Sequence, residues 1–148
     1  MGERKRILLV DDDSQVLFVL QAALTRMNMP CDVETAQNGR EAYRLVESFA
    51  LDLLITDIRL PGIDGITLTD LVRSRTPQMP VIWITAYGCH GLAEDAGRLR
   101  VFRCLEKPVE VDEFRQIVQQ AILAPLGDVA GDSEAPPAGP MRKTGRRQ

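Results

Sequence analysis

The chain has 148 residues, which is enough for one domain of ordinary size. Hydrophobic residues make up 45% of it and charged residues 26%, a composition that is typical of a soluble globular protein and excludes wholesale disorder. The net charge of -3 argues against a broadly basic nucleic-acid binder, and no apolar run approaches the roughly 18 residues of a membrane span.

The first half of the chain alternates apolar runs with segments whose apolar residues recur at helical spacing. Apolar runs of four to six residues that end in acid are typical of strands buried on both faces. In chain order, the predicted elements are a strand over 6–10, a helix capped by Asp13 or Ser14, a strand over 31–35, a helix over 42–49 and a strand over 51–56 that leads into Asp57.

The second half continues the same alternation. Its predicted elements are a helix from Asp64 to about Arg75, a strand over 81–85, a helix over 88–97 that glycines weaken, a strand over 101–105 and a last helix over 114–122. From residue 125 onward Pro and Gly supply 8 of 24 residues, and the end of the chain is basic. This composition predicts a folded domain over 1–124 and a disordered tail over 125–148.

Five β-α units in series predict an α/β fold with a parallel sheet and helices on both faces, because each parallel pair of strands needs a crossover. Among small doubly wound sheets, five strands suit the flavodoxin-like order 2-1-3-4-5. Ligands of such sheets bind outside the carboxyl ends of the strands, beside the first strand. The fold class therefore predicts where a site would lie.

The three cysteines, Cys31, Cys89 and Cys104, are odd in number and lack the spacing of metal ligands. We expect them to be reduced, mostly buried thiols of a cytoplasmic protein. The beginning of the chain lacks the apolar stretch of a signal peptide, which favours the same localisation.

Polar side chains are collected where the predicted strands end: Asp11 and Asp12 after the first, Asp57 after the third, Thr85 and Ala86 after the fourth, and Lys107 after the fifth. Two like charges about 4 Å apart cost roughly 4 kcal/mol at an effective dielectric of 20, so three converging carboxylates need a cation. Three carboxylates and one lysine leave a charge that one divalent ion cancels, and hard oxygen ligands favour Mg²⁺ over zinc. Helix capping is the alternative role for the aspartates after the first strand.

With these residues in order and at this spacing, the chain resembles a response-regulator receiver domain of two-component signalling. The resemblance covers about residues 5–123, and its motifs are 7–13, 52–65, 84–86 and the pair Lys107-Pro108. It implies autocatalytic transfer of a phosphoryl group to Asp57 from a phosphohistidine, carried by a sensor histidine kinase or a histidine phosphotransfer protein. Slow autodephosphorylation would be the only hydrolytic activity of such a phosphoprotein.

The resemblance also implies a role for each neighbour of Asp57. Asp11, Asp12 and Asp57 would hold Mg²⁺ together with the backbone carbonyl of Arg59. The Thr85 hydroxyl, the Ala86 N–H and the Lys107 ammonium would each contact a phosphoryl oxygen, and the Lys107-Pro108 peptide would be cis, as is usual in the family.

The sequence departs from the family at Cys104, where receiver domains usually carry a tyrosine or phenylalanine. The coupling of that ring to the phosphorylation site is therefore expected to differ, and Phe102 is predicted on the same face of its strand as Cys104. We expect a stand-alone receiver with no DNA-binding domain, which signals through contacts with an unknown downstream protein. The alternatives are a non-phosphorylated pseudo-receiver that serves as a docking module and an aspartate-nucleophile phosphatase, which Gln15 and the short chain disfavour.

Overall fold

A computed structural model describes residues 4–124 of the chain. Helices and strands alternate along it in this order: β1 (Lys5–Val10), α1 (Ser14–Thr25), β2 (Cys31–Ala36), α2 (Gly39–Ser48), β3 (Leu53–Asp57), α3 (Gly65–Arg75), β4 (Val81–Thr85), α4 (Ala93–Arg98), β5 (Arg103–Glu106) and α5 (Val111–Leu123). A single 3₁₀ turn, His90–Leu92, precedes α4. The predicted tail over 125–148 lies outside the described residues.

The five strands form one parallel sheet in the order β2-β1-β3-β4-β5, which confirms the predicted fold. All residues of β3 and β4 are buried, whereas the edge strands β2 and β5 are only partly covered. Central strands that are covered on both faces read as continuous apolar runs, which is why they were visible in the sequence.

Alternate residues of β1 face two separate hydrophobic cores. Ile7 and Leu9 contact the core built by α1 and α5, whereas Leu8 and Val10 contact the core that α2 and α3 cover. Full burial of one such side chain stabilises the fold by about 1.5–3 kcal/mol. The two cores hold the sheet rigid between its helices, so its carboxyl edge is a fixed frame for the site.

The segment before β5 differs from the prediction. The strand begins at Arg103 rather than at residue 101, because Arg100 has a φ of +57° and turns the chain there. Phe102 lies at a bend between this turn and the first residue of the strand, where strand alternation does not apply. Phe102 therefore packs against the core of α1 and α5 and Cys104 against the opposite core, so the prediction that they share a face is wrong.

The prediction of reduced thiols is wrong for two of the three cysteines. The structure pairs Cys89 with Cys104 in a disulfide whose Cα atoms are 5.9 Å apart, and Cys31 is free and half-buried. The pairing arises because the loop after β4 folds back over β5, a contact that no local pattern announces. In the described part of the chain, no helix combines the length and the apolar character needed to cross a membrane.

Candidate functional site

The carboxylates of Asp11, Asp12 and Asp57 converge at the carboxyl edge of the sheet, as the sequence predicts. Asp11 follows β1, and Asp57 is the last residue of the adjacent strand β3. One oxygen from each of the three side chains lies within 4.8 Å of the others. Asp11 and Asp57 are buried and Asp12 is exposed, so solvent reaches the cluster from the side of Asp12.

Lys107 connects the two buried carboxylates. Its Nζ donates a hydrogen bond to Asp57 Oδ2 at 2.8 Å and lies 2.8 Å from Asp11 Oδ2. Burial disfavours the ammonium, but the hydrogen bonds and charges of Asp11 and Asp57 together outweigh it and raise the pKa of Lys107 above its ordinary value. Lys107 is therefore charged at neutral pH. The Lys107-Pro108 peptide bond is cis, as the resemblance implies.

Asp11 is the carboxylate of the cluster whose charge burial disfavours. Burial raises the pKa of its carboxyl, and the Lys107 ammonium and the Asp13 N–H, which donates to Asp11 Oδ1 at 2.9 Å, offset this only in part. Despite its contact with Lys107, Asp11 Oδ2 has no well-aligned hydrogen-bond donor, and no other buried side-chain oxygen or nitrogen within residues 4–124 is left so. A carboxylate oxygen has two lone pairs, so Asp11 Oδ2, which Lys107 alone contacts, can also bind a second cation.

This donor set fits Mg²⁺. Its three side chains supply only carboxylate oxygens, and Asp12 leaves the cluster open to water. The three negative charges exceed the single positive charge of Lys107, so a divalent cation relieves the repulsion.

The loop from Asp57 to α3 depends on a glycine that the sequence reading did not single out. A Cβ at Gly65 would lie 2.8 Å from Ile58 Cα and would overlap the Asp57 carbonyl oxygen. Gly65 N also donates to Ile58 O at 2.8 Å, and Arg59 N donates to Asp57 Oδ1 at 3.2 Å. The start of α3 is therefore packed directly on the backbone of Asp57, and this close approach orients its side chain.

Thr85 and the two residues after it, Ala86 and Tyr87, lie at the carboxyl end of β4. Thr85 is buried at the end of β4, beside Ile84, which pairs in register with Asp57. Its Oγ1 accepts a hydrogen bond from Tyr87 N at 3.0 Å, whereas Ala86 is exposed. The Tyr87 ring is 69% exposed, and the Arg59 guanidinium stacks on it 4.3 Å from its centroid. Sequence reasoning missed Tyr87 because an aromatic residue after a strand carries no signal of such a contact.

A five-stranded sheet in the order 2-1-3-4-5, with an acidic cluster at its carboxyl edge and a lysine joined to it, is the architecture of receiver domains. Residues 7–119 match the family model described as the response regulator receiver domain, and the chain therefore belongs to that family.

Curated relatives include the DNA-binding transcriptional regulator NtrC of Escherichia coli and the response regulator protein PilR of Pseudomonas aeruginosa. The chain is 37% identical to NtrC over 120 residues, which are 81% of this chain and 25% of NtrC, and 37% identical to PilR over 119 residues, which are 80% of this chain and 26% of PilR.

Solved structures of receiver domains also match this chain. The signal receiver domain of an HD domain-containing protein from Pseudomonas fluorescens matches with a TM-score of 0.75 and 30% identity, covering 81% of this chain and 95% of that one. A response regulator receiver domain protein from Clostridium thermocellum matches with a TM-score of 0.73 and 28% identity, covering 80% and 94% of the two chains.

These relatives correct one expectation. The prediction of a stand-alone receiver with no DNA-binding domain is wrong, because the chain spans about a quarter of the length of the curated regulators it matches, and NtrC is DNA-binding. The matched region is one part of those longer proteins. The length of this chain therefore carries no information on a DNA-binding domain.

Proposed function

We propose that this receiver domain is a phospho-acceptor that takes a phosphoryl group from a phosphohistidine onto Asp57. The donor would be a sensor histidine kinase or a histidine phosphotransfer protein, and the output a change in the contacts made by the segment after Thr85. The observation that carries the proposal is the buried Asp57 carboxylate, hydrogen-bonded to Lys107 and held within 4.8 Å of two further carboxylates.

The transfer forms one bond and breaks one. An Asp57 carboxylate oxygen attacks the phosphorus, the phosphorus–nitrogen bond breaks, and the donor imidazole leaves with the electron pair. Phosphoryl transfer of this kind depends mainly on positioning and on neutralising charge, and little on covalent help from the protein. The fixed Asp57 backbone and the charged Lys107 supply these two requirements.

Neighbouring residues would complete the site. Asp11, Asp12 and Asp57 would hold Mg²⁺ with the backbone carbonyl of Arg59, and the ion, when bound, neutralises negative charge on the phosphoryl oxygens. Lys107 pairs with one phosphoryl oxygen. The Thr85 hydroxyl, whose oxygen already accepts from Tyr87 N, keeps its own proton for donation to another, and the Ala86 N–H adds a further donor.

The charge balance supports the same assignment. The phosphorylated site would carry two free carboxylates, about two negative charges on the phosphoryl group and one lysine, so that a divalent cation leaves about one negative charge. The unphosphorylated cluster with the same cation is close to neutral. The site therefore tolerates the product about as well as the reactant, which suits a reversible signal.

Intact-mass spectrometry after incubation with acetyl phosphate and Mg²⁺ tests the proposal. We expect the wild-type chain to gain one phosphoryl group and Asp57→Asn to gain none. Asp64→Asn is the matched control, because Asn keeps the cap that Asp64 provides to Thr67 N while removing a nearby carboxylate.

Three other outcomes would contradict the proposal. An undiminished adduct in Asp57→Asn would show that Asp57 is not the acceptor. If the wild type neither gains an adduct nor consumes acetyl phosphate, the domain is a pseudo-receiver that acts only by docking. Consumption of acetyl phosphate without an adduct would indicate an aspartate-nucleophile phosphatase.

A further inference from the structure

The Cys89–Cys104 disulfide lies between two functional parts of the domain. Cys89 belongs to the loop that follows Thr85, and Cys104 lies in β5, three residues before Lys107. A covalent bond therefore joins the segment after one predicted phosphoryl contact to the strand that leads to another. The family usually carries an aromatic side chain where Cys104 stands, so this bond is a property of the chain itself.

A hydrogen bond reinforces the same connection. Cys89 N donates to Glu106 Oε2 at 3.0 Å, and Gly88 turns the chain toward that carboxylate with a φ of +87°. Only glycine adopts this conformation without strain. The Cys89 sulfur thus bonds to Cys104 and its backbone N–H to Glu106, two positions further along β5. The hydrogen bond holds the loop against this strand independently of the covalent bond.

The end of the segment that the disulfide encloses is anchored by the buried Leu99 and Val101, but its helix is held weakly. The helix α4 is six residues long, has no buried residue and receives no side-chain cap at its beginning. Gly91 and Gly97 lie in or beside it and contribute no side-chain packing. Leu92 and Ala96 contact the core only as partly buried side chains. A short helix with few buried contacts opens readily, so the covalent link adds a restraint where packing supplies little.

We propose that Cys89 and Cys104 form a reversible, redox-sensitive tether that controls how freely the segment from 86 to 98 opens. Both cysteines are only partly buried, so small thiols and disulfides can reach them. Oxidised, the tether closes the segment onto β5; reduced, the segment opens more often. Its effect on signalling rests on the proposed function, whereas its effect on opening does not.

The oxidant would be a low-molecular-weight disulfide, and the step is two thiol–disulfide exchanges. One cysteine thiolate attacks a sulfur of the oxidant, forms a mixed disulfide and expels one thiolate. The second cysteine attacks the protein sulfur of the mixed disulfide, forms the Cys89–Cys104 bond and expels the second thiolate. The two cysteines lose two electrons and two protons, and the oxidant becomes two thiols. Reduction by two such thiols is the reverse.

Amide hydrogen exchange on the full chain, without any phosphoryl donor, tests the tether. We expect exchange between 86 and 98 to be on the order of tenfold to a hundredfold faster after reduction, because closing a loop of this size restricts the open state by such a factor. Cys89→Ser and Cys104→Ser should match the reduced protein under oxidising conditions. Cys31→Ser, which removes the free cysteine, should match the oxidised wild type.

Equal exchange in oxidised and reduced wild type would overturn the proposal, and this comparison needs no variant to fold. Alkylation of the unfolded chain counts the thiols independently, since the sequence has three cysteines: three labels are expected after reduction and one after equilibration with oxidised glutathione. Three labels after that equilibration would also overturn it.

The signalling part is tested with beryllofluoride, which mimics a phosphoryl group. We expect it to protect residues 87–97 more in the reduced protein than in the oxidised one, because a tethered segment has less to gain from ordering. Equal protection in both states would remove the regulatory role and leave the tether. Failure of beryllofluoride to bind in either state would instead count against the proposed function.

Discussion

Arg73 ties α3 to the turn between α4 and β5, and its replacement by methionine is expected to loosen that turn. The side chain is buried, and its guanidinium donates to three backbone carbonyls: Leu99 O at 2.7 Å, Met79 O at 2.5 Å and Arg100 O at 3.1 Å. Methionine fills a similar volume but leaves all three carbonyls without this donor. The change therefore isolates the hydrogen bonds from the packing.

The size of the effect follows from two opposing contributions. Hydrogen bonds to a charged group contribute roughly 1.5–3 kcal/mol each. Burial, with a smaller effect from the charge of Arg100, lowers the pKa of Arg73 to about 10, and the shift corresponds to roughly 3 kcal/mol of unfavourable desolvation of the cation. The methionine variant lacks the three hydrogen bonds, but it also avoids the unfavourable burial of a charge. We expect Arg73→Met to reduce the free energy of unfolding by about 1.5–6 kcal/mol.

Urea unfolding followed by tryptophan fluorescence measures this loss, because Trp83 is the only tryptophan and is fully buried. Arg75→Met on the same helix is the control: Arg75 is exposed, so the loss should stay within about 0.5 kcal/mol. Arg73→Lys, which keeps the charge and reaches fewer carbonyls, should fall between the two. A loss below about 1 kcal/mol for Arg73→Met would refute the role assigned to the three bonds.

Two further predictions concern the acidic cluster and its frame. Asp12→Ala should weaken Mg²⁺ binding by roughly tenfold or more, as measured by titration calorimetry. The control Asp13→Asn keeps the cap of α1 and should bind Mg²⁺ as the wild type does. Equal affinity in Asp12→Ala would place the metal site elsewhere. Gly65→Ala should cost about 1–3 kcal/mol of stability and slow phosphorylation of Asp57, because the added methyl meets the Asp57 backbone. Gly91→Ala, in open space, should do neither, and an unaltered rate in Gly65→Ala would contradict the positioning role of that glycine.

The sheet order and the convergence of the acidic residues were accessible from residue spacing. The runs of β1, β3 and β4 are apolar throughout because both of their faces are covered, and this burial requires parallel strands with helical crossovers. Parallel strands end at one edge, so acidic residues after β1 and β3 must meet there. Asp11, Asp57 and Lys107 were found together for this reason.

The contacts that modify this frame had no signature in the sequence. Arg73 reads as an ordinary surface cation of a helix, Gly65 as one more loop glycine, and Cys89 and Cys104 as unrelated thiols. Each acquires its role from a partner that folding brings near: Arg73 binds carbonyls 26 and 27 positions away, and the two cysteines are 15 positions apart. Periodicity records which face of an element is buried, but it holds no information on how one loop packs against another. Only side-chain packing between elements determines those pairings.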